Sequence, residues 1–371
     1  MKIFIDVRLC SYGYQGVKVY IDHILKYLLS EKNNTYYLAG YKEYLKNYKD
    51  YSNVSLIEFE APIHSIKEQV LGFQIRKRYK NDIDIYFFPY PAVPVAFYNT
   101  NFIVIFYDIT PFRFWYFFNP IKVILGIFVT KIIAIKAKKI VTISEAAKKD
   151  LDKYFGLKYE KIKVIYCGVS HDFRILHRQV IEEFKKLENL KKYILFVGNR
   201  EKTKNLFRLA RAIEIVRNKG FEVDLLIIGR KYKAYEKTDK KLLSYGKWVK
   251  IFYNVENEDL VKYYNGCEIY VQPSLNEGFG LPVVEAMKCG CVCVVSDIAV
   301  FREILKDAGV YFNPYNVEDI AEKIIYVLKD DSLKETLRAK SIDYVKNFNW
   351  EFSTRKILEL FYEIYEKRRR I

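Results

Sequence analysis

Two carboxylates, Glu277 and Glu285, stand eight positions apart in the chain. Gly278, Phe279, Gly280 and Leu281 lie between them, and Pro282 opens a segment that reads as a helix. Glycines let a ligand approach bare backbone. A helix start offers unpaired N–H groups to an anion. Carboxylates accept hydrogen bonds from hydroxyls. A ligand that uses all three carries a diphosphate and several hydroxyls, which describes a nucleotide sugar. The same residues also fit a plainer reading, in which Glu277 caps the helix through Met287.

A second constellation follows Gly198. Arg200 and Lys204 lie in a basic loop between an apolar strand and a helix. Forked hydrogen bonds from an arginine and the point charge of a lysine suit a diphosphate. A third glycine turn, 11–20, carries Gly16 just before a helix and offers the same backbone chemistry. Either turn also fits an ordinary solvated connection.

These residues need elements to hold them. Apolar, β-branched runs at 3–5, 83–88, 102–106, 140–143 and 162–165 predict one series of strands. Runs at 193–197, 223–228, 249–252, 269–271, 292–295 and 310–312 predict another. Helical periodicity between them, as at 17–29, 205–218, 258–265 and 317–328, implies parallel sheets covered on both faces. The pattern restarts near residue 191. The expected organisation is a doubly wound α/β domain at 1–170, a polar linker at 171–190, a second doubly wound domain at 191–347, and a C-terminal helix at 348–371 that crosses back to the first. Ligands of such sheets bind at the carboxyl ends of the strands, so the site is expected in a cleft between the domains.

The 371 residues carry 62 Lys and Arg against 45 Asp and Glu, a formal charge of +17. Nucleic acid, an anionic membrane and small anionic substrates all fit that excess. Lysines and aromatics form no recognised nucleic-acid module, so no nucleic-acid partner is expected. The six cysteines show no zinc spacing and read as buried apolar residues of a reducing compartment. The N-terminus reads as a first strand and not a signal peptide, so the protein is expected in the cytoplasm. No acidic residue occurs between Ile109 and Ser144. That span holds Arg113, Lys122, Lys131, Lys136, Lys138 and Lys139 among Phe112, Phe114, Trp115, Tyr116, Phe117 and Phe118. Too short in its apolar run to span a bilayer, it reads as a segment lying on the anionic inner face of a membrane, with the basic tail 367–370 as a second contact. An ordinary buried helix with lysines on its wet face remains the alternative.

Pro273-Ser274 followed by Glu277-Gly278-Phe279-Gly280-Leu281-Pro282 and Glu285-Ala286-Met287 resembles the E-x7-E signature of retaining glycosyltransferases of family 4, the group 1 enzymes of GT-B fold. Gly198 with Lys204-Asn205, Ile143-Ser144-Glu145, the 165–169 segment, Ser296-Asp297 and Phe348-Asn349-Trp350 match the same family in order. The resemblance implies two Rossmann-like domains facing a cleft. It implies that Glu277 contacts the donor sugar and Glu285 the ribose. Arg200 and Lys204 would bind the diphosphate, with the backbone of Gly278 to Leu281 and, from the first domain, Gly16 and its turn close by. Retention of configuration is implied; same-face attack, with the leaving phosphate as the base, is the route we favour for it. No cofactor or metal is expected, because no Asp-x-Asp pair stands at the end of a strand. The implied partners are a nucleotide-sugar donor, weakly of GDP-mannose type, and a glycan or glycolipid acceptor.

Two departures mark this chain. Where related mannosyltransferase-like members carry His-Asp, it reads Tyr107-Asp108, which leaves these two as acceptor-side candidates without a histidine. Asn199 follows Gly198 where an arginine is common, and Arg200 comes one position later. A catalytically impaired sugar-nucleotide-binding protein and a GT-B enzyme with a soluble acceptor are the competing readings.

Overall fold

A computed structural model describes all residues except 12–14, 118, 158, 370 and 371. Thirteen strands occur among the described residues. In chain order they are β1 (Lys2–Asp6), β2 (Thr35–Gly40), β3 (Val54–Glu58), β4 (Ile85–Phe88), β5 (Phe102–Phe106), β6 (Lys139–Thr142), β7 (Ile162–Val164), β8 (Tyr193–Val197), β9 (Asp224–Gly229), β10 (Val249–Tyr253), β11 (Ile269–Gln272), β12 (Cys293–Ser296) and β13 (Gly309–Phe312). The chain divides into two units, Met1–Gly168 with Asn349–Ile371, and Val169–Phe348.

The first unit holds a seven-stranded sheet in the order β3-β2-β1-β4-β5-β6-β7. All its pairs are parallel. β2 and β3 are strands that apolar patterning does not single out. β2, paired on both sides with β1 and β3, is tyrosine-rich rather than β-branched, while β3 lies at the sheet edge, where a strand needs less apolar surface than a central one. Phe4, Phe88, Phe97 and Val104 pack on one face with Ile75, Ile133 and Ala134 from the helices Ile66–Arg78 and Pro120–Lys136. The helix Gln15–Leu28 packs with the C-terminal helix Trp350–Arg369. Trp350 stacks on His23 at 4.9 Å. A Cβ on Gly168 would stand 2.2 Å from the Trp350 backbone nitrogen, so only glycine allows this approach.

Sheet order reverses between β1 and β4, and a buried ion triad fills that point. Arg8 pairs with Asp6 at 2.6 Å and with Glu68 at 2.8 Å, while its guanidinium lies 3.9 Å from the centre of the Phe59 ring. Burial raises the Glu68 pKa and Arg8 opposes it. The triad ties the loop after β1 to the helix Ile66–Arg78.

The second unit holds a six-stranded parallel sheet in the order β10-β9-β8-β11-β12-β13. Here order reverses between β8 and β11. Apolar residues of β8, β9, β11 and β12 form its core with the helices Leu206–Asn218 and Val317–Lys329. The expected linker 171–190 differs from what is observed. It contains the helix Arg178–Leu187, whose Phe184 is buried edge-on against Tyr263 at 4.9 Å. The apolar face of that helix is narrow, which is why its sequence reads as polar.

Candidate active site

The switch between β8 and β11 sets two loops side by side, because adjacent parallel strands end on the same edge. The loop 198–205 leaves β8 and the loop 273–280 leaves β11. A backbone bond joins them directly, from Leu275 N to Thr203 O at 2.8 Å. Asn205 turns the first loop into its helix in the left-handed region, φ 60°, a conformation asparagine tolerates. Its side-chain amide donates to Pro314 O at 2.7 Å.

Lys204 is thereby carried to Glu277. Its Nζ lies 2.7 Å from Glu277 Oε1. Two further donors reach the same oxygen, Ser274 Oγ at 2.8 Å and Gln272 Nε2 at 3.1 Å. Glu277 keeps about a seventh of its side chain in solvent. The result is an oriented carboxylate beside a cation, on loops that precede two helices. Such a pair can accept from a sugar hydroxyl on one side and meet a phosphate on the other.

Gly280 caps the helix Leu281–Lys288 at φ 96°. A Cβ there would meet Phe301 Cε1 at 2.8 Å, so the turn is closed to other residues. Gly278 and Phe279 are buried beside it, and the Phe279 ring packs edge-on to Phe348 at 5.4 Å. Leu281 begins the helix, half-buried. One turn on, Glu285 is half-buried and accepts from the Tyr264 hydroxyl at 2.9 Å. Burial pushes its pKa up to about 7, against the lowering effect of that hydrogen bond. Tyr264 in turn packs on Tyr270 with ring centroids 5.6 Å apart, and Tyr270 bonds Gln272. The two carboxylates are thus tied through one pair of buried tyrosines.

Arg200 does not join this group, which corrects the expectation drawn from the loop. It is 2% exposed and its Nε lies 2.6 Å from Asp239. Nη2 donates to Arg230 O, and the guanidinium packs near the rings of Tyr235 and Tyr253. Sequence order alone could not separate an arginine turned inward from one facing a ligand. Gly198 stands half-buried at the end of β8 with φ 150°.

In the first unit, Tyr107 donates to Pro89 O at 2.8 Å, and burial raises its pKa well above the ordinary value. Its hydroxyl hydrogen is used inside the fold, so as an acceptor-side candidate Tyr107 has that proton already committed. Asp108 accepts from Thr110 N at 2.8 Å and so shapes the turn into the helix Thr110–Arg113. Gly16 is exposed as the second residue of its helix, with open space where a Cβ would stand. The turn residues 12–14 before it lie outside the described residues, as do Phe118 and Arg370. The residues not picked out in advance are Tyr264, Tyr270 and Gln272. Only the two-residue alternation along β11 signals the last two, since it puts their side chains on one face.

Comparison with known proteins fits this geometry. Residues 177–347 match the family model described as glycosyl transferases group 1, and residues 14–173 match glycosyltransferase family 4. Both models describe glycosyltransferases, and together they span nearly the whole chain. It is 29% identical over 234 residues to the O-antigen chain mannosyltransferase B of Escherichia coli, covering 61% of this chain and 60% of that protein. It is 27% identical over 227 residues to the serotype-specific mannosyltransferase WbdA of Escherichia coli, covering 58% of this chain and 27% of that one. The match therefore spans less than two thirds of these curated relatives. Sucrose-phosphate synthase from Thermosynechococcus elongatus superposes with TM-score 0.80 at 16% identity, over 99% of this chain and all of the other. The shared architecture is the GT-B fold, two parallel-sheet α/β units in one chain.

Proposed function

We propose that this glycosyltransferase moves a hexose from a nucleotide-diphospho-sugar to a glycan acceptor, with retention and without a metal ion. The observation that carries this is the 2.7 Å Lys204–Glu277 pair on the two loops of the β8/β11 switch point. Transfer requires charge stabilisation on the departing diphosphate and an oriented carboxylate at the sugar. Lys204 supplies the first and Glu277 the second. Glu285 accepts from the ribose hydroxyls. Arg200, engaged by Asp239, is left out of the reaction. The leaving phosphate takes the proton of the attacking hydroxyl as it departs on the same face. The names of the mannosyltransferase relatives, one of them an O-antigen chain enzyme, support mannose as the hexose and a glycan acceptor, with GDP-mannose as the proposed donor.

The acceptor is lipid-linked and is met at the inner face of a membrane. Supporting this, the helix Pro120–Lys136 shows apolar residues all round. Val123, Ile133 and Ala134 pack inward, while Ile121, Ile124, Leu125 and Phe128 are each at least 60% exposed. Lys122, Lys131 and Lys136 flank them in solvent. The helix Ile66–Arg78 joins the same core and exposes Ile66, Val70 and Phe73 with Lys67, Lys77 and Arg78. Its acidic residue, Glu68, is turned inward to Arg8. Among the described residues no helix is long and apolar enough to cross a membrane. In the C-terminal helix, Lys367 pairs with Glu363 one turn away, and Arg368 pairs with Asp84.

The test is nucleoside diphosphate release from UDP-, GDP-, ADP- and dTDP-sugars by wild type, Glu277→Ala and Lys204→Ala. Release from one donor is expected, falling by roughly 100-fold or more in both variants. Undiminished release by Glu277→Ala overturns the assignment.

A further inference from the structure

Glu277 is held by a chain of side chains that starts in the core. Tyr270 and Gln272 share one face of β11, and the Tyr270 hydroxyl bonds Gln272 Oε1. Gln272 Nε2 donates to Ser274 Oγ at 2.9 Å and to Glu277 Oε1 at 3.1 Å. Ser274 Oγ donates to Glu277 Oε1 at 2.8 Å. All three supporting side chains are at most 1% exposed.

Proton order along this chain is set from its outer end. A carboxylate paired with Lys204 accepts only, so Gln272 must present Nε2 to it. That turns Oε1 inward, and since Oε1 also only accepts, Tyr270 must donate. A reversed amide would set two acceptor oxygens against each other in a buried site, which is costly. Burial keeps the Tyr270 proton in place by raising its pKa well above the ordinary value. We infer that Tyr270, Gln272 and Ser274 are positioning residues for glycosyl transfer. They fix the rotation of the Glu277 carboxylate before the donor sugar arrives. The inference rests on Glu277 being the sugar-side carboxylate.

Tyr270 acts through Gln272, and that gives a distinctive signature. With the sugar nucleotide that wild type turns over fastest, Gln272→Leu lowers kcat roughly 10- to 100-fold, the scale of a misplaced catalytic group. Donor KM stays within about threefold, because the ribose and phosphate contacts remain. Tyr270→Phe lowers kcat about 3- to 10-fold in the wild-type background and has no further effect in Gln272→Leu, since a residue acting through another is non-additive. Ser274→Ala loses rate, and Ser274→Thr, which keeps the hydroxyl, restores it. Binding of UDP or GDP, read by thermal shift, is unchanged throughout. Additive losses, a loss confined to KM, or wild-type kcat in folded Gln272→Leu overturns the proposal. Should Gln272→Leu fail to fold by circular dichroism, Tyr270→Phe with the Ser274→Ala and Ser274→Thr pair reads the same point, and wild-type kcat in Tyr270→Phe and Ser274→Ala overturns it. An active Glu277→Ala would instead reject the site assignment beneath it.

Discussion

Glu285 carries two opposite demands in one side chain. As a ribose ligand it must be ionised, so that both oxygens accept from hydroxyls. As a half-buried group it prefers its proton, with a pKa raised from 4.5 to about 7. Between those values the unfolded chain has lost the proton and the native state keeps it. Stability of the unliganded protein therefore falls as pH rises through that window, by on the order of 2–3 kcal/mol. With Glu285 in its proposed role of ribose ligand, nucleoside diphosphate affinity is expected to move the other way and to strengthen as pH rises through about 7. Titration calorimetry with GDP and UDP between pH 5.5 and 8.5, beside melting of the free protein, reads both slopes. Glu285→Gln is expected to melt above wild type at pH 8, to match it near pH 4, and to lose the pH dependence of binding. Parallel slopes for affinity and stability would show that Glu285 takes no part in the nucleotide site.

At the scale of elements, the site depends on how two loops are closed. The helix Leu281–Lys288 is short and has Gly280 at its cap without a side-chain cap bond. Its start is defined instead by the φ of 96° at Gly280 and by Phe301 filling the space beside it. Gly280→Ala meets both a strained backbone and a 2.8 Å contact with an aromatic ring. A loss of about 1–3 kcal/mol is expected from the backbone conformation alone, read as a lower melting temperature. Donor turnover should fall further than stability, because the helix start and the 273–280 loop shift together. A melting temperature within experimental error of wild type would refute the stated geometry. The motif shows a glycine here, but only the fold shows what occupies the space a side chain would need.

At the scale of the molecule, two helices of the first unit, Ile66–Arg78 and Pro120–Lys136, each set exposed apolar side chains beside basic ones. Each basic residue near an anionic leaflet contributes about 1 kcal/mol. Each inserted apolar side chain adds at most about 1.5–3 kcal/mol. A handful of each is enough for reversible binding. Wild type should pellet with vesicles containing phosphatidylserine at low salt and release as salt rises. Ile124→Glu with Phe128→Glu, both exposed and outside the core, should weaken binding at least tenfold without lowering the melting temperature. Absence of wild-type binding at low salt would remove the membrane from the proposal.

Much of this was legible from the residues. Central strands such as β5 and β8 are continuous apolar runs, because parallel strands are buried on both faces. Strands β2 and β3 were not legible, the first because tyrosines replace the β-branched run and the second because it lies at the sheet edge and buries little, and neither was the helix Arg178–Leu187, which buries only Phe184. Glu277, Glu285, Lys204 and the glycines between them could be named from type and spacing, since local chemistry leaves a local trace. Tertiary structure alone decided that Lys204 reaches Glu277 across 73 positions of chain, that Arg200 turns inward to Asp239, and that Tyr107 spends its proton on Pro89. The physical reason is that sheet order, not sequence distance, determines which loops meet. Whether a charged side chain faces a ligand or a buried partner depends on neighbours that arrive from elsewhere in the chain.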